Sequence, residues 1–107
     1  MAKVESKLPT LITQMSILAT AGFPAAIIIE KTCQMKEYGP LSITMNWVNN
    51  LIERFRIPAW KALLRVADQS PSPKVKEFLE RFSHSITVGE DPRRFLFNEQ
   101  DVAMEMY

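Results

Sequence analysis

The stretch LPTLITQMSILATAGFPAAIII, from Leu8 to Ile29, decides the fold. It holds no charged residue and is long enough for the about 20 residues that cross a bilayer as one helix. Two features argue against a single span. Thr10, Thr13, Gln14, Ser16 and Thr20 dilute its hydrophobicity, and Ala21-Gly22-Phe23-Pro24 interrupts it. Glycine ends helices because it enters the left-handed region without a Cβ clash. Proline starts them because its fixed φ suits a first turn, where the missing N–H goes unused. The stretch therefore reads as the end of one helix and the beginning of the next. Before the turn, Leu8, Leu11, Ile12, Met15, Leu18 and Ala19 keep the 3.6-residue period, which predicts a helix from Leu8 to Ala21 with residues 1–7 as a flexible lead. After it, Pro24 opens a second helix reaching about Glu37, with Ala25, Ile28, Ile29 and Thr32 inward. Ile27-Ile28-Ile29 has the composition of a strand, but Ala25-Ala26 before it and Glu30-Lys31 after it favour helix.

The same punctuation recurs downstream. Tyr38-Gly39-Pro40 precedes a third helix whose apolar face is Leu41, Met45, Val48, Ile52 and Phe55. Gly39 repeats the punctuation of Gly22, or is instead extended because it stands before a proline. Arg56-Ile57-Pro58 breaks that helix, and Ala59, Ala62, Leu63, Val66 and Ala67 mark a fourth. Ser70-Pro71-Ser72-Pro73 is a stiff connector with Ser72 as the N-cap of a fifth helix, which turns Val75, Phe78, Leu79, Phe82 and Ile86 inward and ends near Gly89. Asp91 caps a sixth that begins at Pro92 and carries Phe95, Val102, Ala103 and Met106 on its inner face. Glu99 falls on that inner stripe and must find an arginine, a hydroxyl or the bundle end, because an unpaired buried charge is costly. No segment alternates with period two, so the fold expected is a single all-α antiparallel bundle of about six short helices.

Composition limits what such a bundle does. With 47% hydrophobic and 23% charged residues, the chain is a folded globular module rather than a disordered tail. Thirteen basic against twelve acidic residues leave a net charge of +1, too little for a global field that would attract nucleic acid or an anionic membrane. One cysteine, Cys33, excludes an internal disulfide and a cysteine-rich zinc site, and fits a reducing compartment. The opening residues carry charges of both signs and lack a secretory signal's pattern.

The inventory for catalysis is poor: one His, one Cys and no glycine-rich phosphate loop. Glu77, Glu80 and His84 share a helical face, but a solvated surface explains them better than a metal site. No cofactor is expected. The best local feature is basic: Arg54, Arg56, Lys61 and Arg65 gather around the turn between the third and fourth helices, with Trp47 and Trp60 near in sequence. A solvated face explains such a patch most simply, a protein-docking surface comes next, and nucleic acid is disfavoured by the balanced charge. A second charged group, Glu90, Asp91, Arg93 and Arg94, lies at the turn before the sixth helix. Gly22, Pro24, Gly39, Pro40 and Gly89 are structural candidates.

Taken in order, these punctuations resemble the cytoplasmic domain of the type II secretion system F family, in its archaeal branch. Leu8-Pro9-Thr10-Leu11 followed by Leu18-Ala19-Thr20-Ala21-Gly22-Phe23-Pro24 is similar to the family's first helix and its Ala-Gly-hydrophobic-Pro turn. Tyr38-Gly39-Pro40-Leu41 is similar to its Gly-Pro-Leu entry to the third helix. Ile57-Pro58-Ala59-Trp60-Lys61-Ala62-Leu63, Ser70-Pro71-Ser72-Pro73, Gly89-Glu90-Asp91 and Phe95-Leu96 complete the pattern. Arg56 departs from it, since the family usually places glycine there, which leaves the tightness of that turn open and adds a charge.

The resemblance implies a six-helix cytoplasmic bundle of a multi-pass cell-membrane protein, an assembly platform for a secretion system, type IV pilus or archaellum, whose membrane spans lie outside this chain. It implies no enzyme activity and no nucleic acid. Its implied partners are a hexameric secretion ATPase and pilin-like or archaellin subunits, whose insertion the platform couples to the ATPase; whether it forms a homo-oligomer is open. The alternative is a free-standing helical adaptor or nucleic-acid-binding module that uses the basic patch.

Overall fold

Six helices and no strand form among the described residues: α1 Ala2–Thr20, α2 Ala25–Cys33, α3 Pro40–Glu53, α4 Ala59–Gln69, α5 Pro73–Thr87 and α6 Pro92–Met106. The computed structural model describes residues 2–35 and 39–106, with side chains for 6–35 and 39–103. The all-α bundle expected from the periodicity is the fold observed. No helix among the described residues is long and apolar enough to cross a membrane.

The turn that divides Leu8–Ile29 closes as a Schellman motif. The Phe23 N–H donates to the Leu18 carbonyl (3.3 Å) and the Gly22 N–H to the Ala19 carbonyl (2.9 Å), with Gly22 at φ +97°. Pro24 sits one place earlier than predicted, as the N-cap of α2 (φ −71°, ψ 166°), and its carbonyl accepts from the Ile27 and Ile28 N–H groups. The α5–α6 turn repeats the motif: Glu90 N–H to Ser85 carbonyl at 2.9 Å, Gly89 N–H to Ile86 carbonyl at 3.2 Å, and Gly89 at φ +76°.

Boundaries differ from the expectation in ways that have causes. Helix α1 begins at Ala2, ahead of Leu8, and takes in residues read as a lead. Residues 1–7 carry no apolar period of their own, and Ser6 and Lys7 are exposed, so hydrophobic period gives no sign of these turns. Pro9 lies inside α1, where it removes one N–H from the ladder. Helix α2 stops at Cys33 because Gln34 and Met35 donate back to Lys31 and Thr32, three residues away, tightening the last turn. Glu37 and Tyr38 lie outside the described residues. Phe55 is not core: α3 ends at Glu53, and Phe55 is 67% exposed in the turn beyond.

Gly39 is not extended. It sits at φ +56°, ψ −121°, a region open to glycine alone, as the N-cap of α3. Pro40 opens that helix, and the Ser42 hydroxyl donates to the Met35 carbonyl, joining the ends of α2 and α3. Ser72 caps α5 as predicted, its hydroxyl accepting from the Val75 N–H at 3.3 Å.

The core draws on every helix: Leu8, Leu11, Ile12 and Met15 from α1, Ile28 and Ile29 from α2, Leu41, Met45 and Val48 from α3, Leu63 and Val66 from α4, Phe78, Leu79 and Phe82 from α5, and Phe95, Leu96 and Ala103 from α6. Helix α4 lies along α5, α1 along α6 and α2 along α3. Phe95 stacks on Phe78 and Phe82, which are tilted to each other, with centroids 5.2 to 6.1 Å apart across α5 and α6. Burying side chains of this size stabilises by roughly 1.5–3 kcal/mol each before ordering entropy is counted.

Candidate functional site

The α3–α4 corner is built from the end of one amphipathic helix and the start of the next. The Arg54 N–H still donates to the Asn50 carbonyl (2.9 Å), and the Ile57 N–H reaches back to the Leu51 carbonyl (3.1 Å). Between them Arg56 stands at φ +57°, the one left-handed residue other than glycine among those described. The tightness left open by the sequence is resolved: the turn is left-handed, with an arginine in it. Ile57 packs against the core while Arg54, Phe55 and Arg56 are all exposed. Lys61 and Arg65 follow one turn apart on the exposed side of α4, so all four predicted cations meet solvent.

Large apolar side chains are also exposed on the same two helices. Ile43 and Trp47, 73% and 42% exposed, stand on the side of α3 opposite Leu41, Met45 and Val48. On α4, Trp60 and Leu64 are 38% and 40% exposed. The Ser83 hydroxyl of α5 donates to the Trp60 carbonyl at 2.7 Å and pins the start of α4. The exposed apolar residues of α3 and α4 are not legible as a set in the sequence, although Ile43 and Trp47 fall off the core period of α3.

The second predicted group divides. Glu90, Asp91 and Arg93 line a cleft of about 570 Å³ together with Gly22, Phe23, Pro24 and Gly89, so the two Schellman turns lie side by side. Arg94 is exposed and does not line it. Asp91 takes the Arg93 N–H at 2.9 Å as the cap of α6, and the Arg93 guanidinium at 2.8 Å. The side-chain hydrogen bond to Arg93, then the backbone one, hold the Asp91 carboxyl below its ordinary value and raise Arg93 in turn. This pair satisfies itself and leaves little charge for a partner.

Glu99 has found its arginine. Arg81 of α5 holds it in a two-point fork, Nε to Oε2 and Nη2 to Oε1, both 2.9 Å, with Glu77 at 4.0 Å on the far side. Glu77, Glu80 and His84 lie beside this pair on a cleft of about 450 Å³ between α5 and α6. Among the described residues no three His, Cys, Asp or Glu side chains gather to hold a metal ion. Cys33 is half-buried, and burial, then Glu30, push its thiol up from the ordinary value, away from the thiolate a nucleophile needs.

The arrangement thus offers a rigid helical body with an apolar and basic corner. No family model matches the chain, and no solved structure matches it. Among curated proteins it is similar to Flagella accessory protein J of Methanococcus voltae, 26% identical over 106 residues, which is 98% of this chain and 19% of that protein. It is also similar to Flagella accessory protein J of Methanocaldococcus jannaschii, 31% identical over 65 residues, 61% of this chain and 10% of that protein. The chain spans about a fifth or less of the relatives it matches.

Proposed function

We propose that this chain is the helical cytoplasmic body of a larger archaellum-assembly protein held in the cell membrane by spans outside this sequence. The observation that carries the reading is the similarity of nearly the whole chain, 98% of it, to a limited part of a flagella accessory protein. In this reading the domain docks a hexameric secretion ATPase through Arg54, Arg56, Lys61 and Arg65 and passes its motion to the insertion of pilin-like or archaellin subunits. It is no enzyme, uses no cofactor and binds no nucleic acid. The bundle suits transmission because close-packed interiors deform little. The basic corner suits reversible docking, since exposed charges steer encounter and are released by salt.

A domain exchange tests the reading. The matching segment of Flagella accessory protein J in Methanococcus voltae is replaced by this chain, and archaella are counted by electron microscopy. Assembly restored well above a strain lacking the segment supports the role. A chimera that accumulates normally but assembles nothing contradicts it.

A further inference from the structure

We propose that the outward stripe of α3, with the tip that follows it, is a docking ridge for an acidic amphipathic helix of a protein partner. Aliphatic side chains of that helix lie against Ile43 and Trp47, and its carboxylates meet Arg54 and Arg56. The inference rests on reading the α3–α4 corner as a partner-facing surface, and it specifies what is read there.

Helix α3 has two apolar faces. Leu41, Met45 and Val48 fill the core, while Ile43 and Trp47, four residues apart, point the other way, and Arg54 continues their line. Single exposed apolar residues are ordinary, but two on one stripe leading to Phe55, itself 67% exposed, form a ridge. The tip is fixed by the chain's own contacts: Ile57 is anchored inward by packing and by its hydrogen bond to Leu51, and the left-handed Arg56 is held between it and the Arg54 hydrogen bond to Asn50. Such preorganisation lowers the ordering cost of association.

Charge selects the occupant. Across α3 and α4, from Pro40 to Gln69, the sequence has two carboxylates, Glu53 and Asp68, against Arg54, Arg56, Lys61 and Arg65. Three of the four are arginines, whose planar forks match carboxylates at two points. Asn46 and Asn50 flank Trp47 in sequence and offer amide donors and acceptors that a protein segment pairs and a hydrocarbon boundary does not. Ile43 and Arg54 are about 16 Å apart along the helix, so the partner's apolar pair and its carboxylates are separated by about three turns.

Trp47 and Trp60 are the chain's two tryptophans, so in Trp60→Phe the emission reports on Trp47 alone. The probe is a synthetic helical peptide with two leucines four residues apart and three glutamates about three turns further along. We expect its titration to shift Trp47 emission to the blue. Arg54→Ser with Arg56→Ser, or about 0.5 M salt, weakens binding about tenfold, and Ile43→Ser weakens it without changing its salt dependence. A peptide of the same composition with glutamates and leucines intermixed binds much more weakly. No shift, or an equal shift with the intermixed peptide, overturns the proposal. So does a shift produced only by phosphatidylglycerol vesicles, or only by raising the protein's own concentration, outcomes that assign the ridge to a membrane or a second copy. If the ATPase binds through the cations without moving Trp47 emission, the docking role stands and the ridge falls. If the peptide binds and the ATPase does not, the ridge stands and the docking role falls.

Discussion

Arg56 is the residue at which backbone and chemistry disagree. A left-handed conformation costs a residue with a Cβ about 1–2 kcal/mol, part of which glycine gives back as entropy of the unfolded chain. Arg56→Gly is therefore expected to raise stability by up to about 1 kcal/mol in urea unfolding, while removing a cation from the corner. Unchanged or lower stability would place the arginine's own contacts above the strain. Gly39 gives the opposite case. A Cβ there or at Gly22 meets nothing within 4 Å, so any penalty comes from backbone conformation. Gly39→Ala, at ψ −121°, should lower the thermal midpoint more than Gly22→Ala; the reverse order would put Gly39 elsewhere in φ/ψ. Gly22 and Gly89 are legible because each follows a finished apolar period, whereas Gly39 is ambiguous in sequence because the proline after it also suits an extended residue. Glu99 was legible by period, and its partner was not: Arg81 is eighteen residues away on another helix. Glu99→Gln keeps the shape and removes the charge from that fork, and should cost about 1–2 kcal/mol, less than a fully buried pair because Arg81 is partly exposed. A change under about 0.5 kcal/mol, the range of ordinary surface sites, would deny the fork a role in stability.

At the scale of elements, the turns were read more surely than the helices they join. Gly22-Phe23-Pro24, Ser72-Pro73 and Asp91-Pro92 each state a local backbone requirement, so the Ser72 and Asp91 caps are legible without any knowledge of packing. Helix ends without such chemistry were misplaced, because hydrophobic period reports burial rather than helicity: α1 extends past its buried face, and α2 stops short of the length its sequence allows. The α6 cap makes a pH prediction. Asp91 has a lowered folded value against an ordinary 3.8, so its contribution is present above that value and lost as pH falls through the lower folded one. Asp91→Asn keeps the cap to the Arg93 N–H and removes the titration. Thermal midpoints of the two proteins should differ near neutrality and converge as pH drops below about 3.8. A constant difference from pH 2 to 6 would show that the charge is not what holds the cap.

Across the whole molecule, the bundle was foreseeable and the pairing of helices was not. Which helix lies on which depends on side-chain volumes meeting at a distance, as with Phe78, Phe82 and Phe95, and one-dimensional period carries none of that. The cations at the α3–α4 corner were found because they cluster in sequence; their apolar neighbours needed the structure to show which way they face. The central claim is that this corner docks the secretion ATPase. Its most direct test is the affinity of the cognate ATPase for the purified chain at low and moderate ionic strength, for the wild type and for Arg54, Arg56, Lys61 and Arg65 all changed to Ser. The account predicts that affinity falls as salt rises, and falls about tenfold or more in the quadruple variant while its helical circular dichroism is unchanged. Affinity indifferent both to salt and to the four substitutions would contradict it.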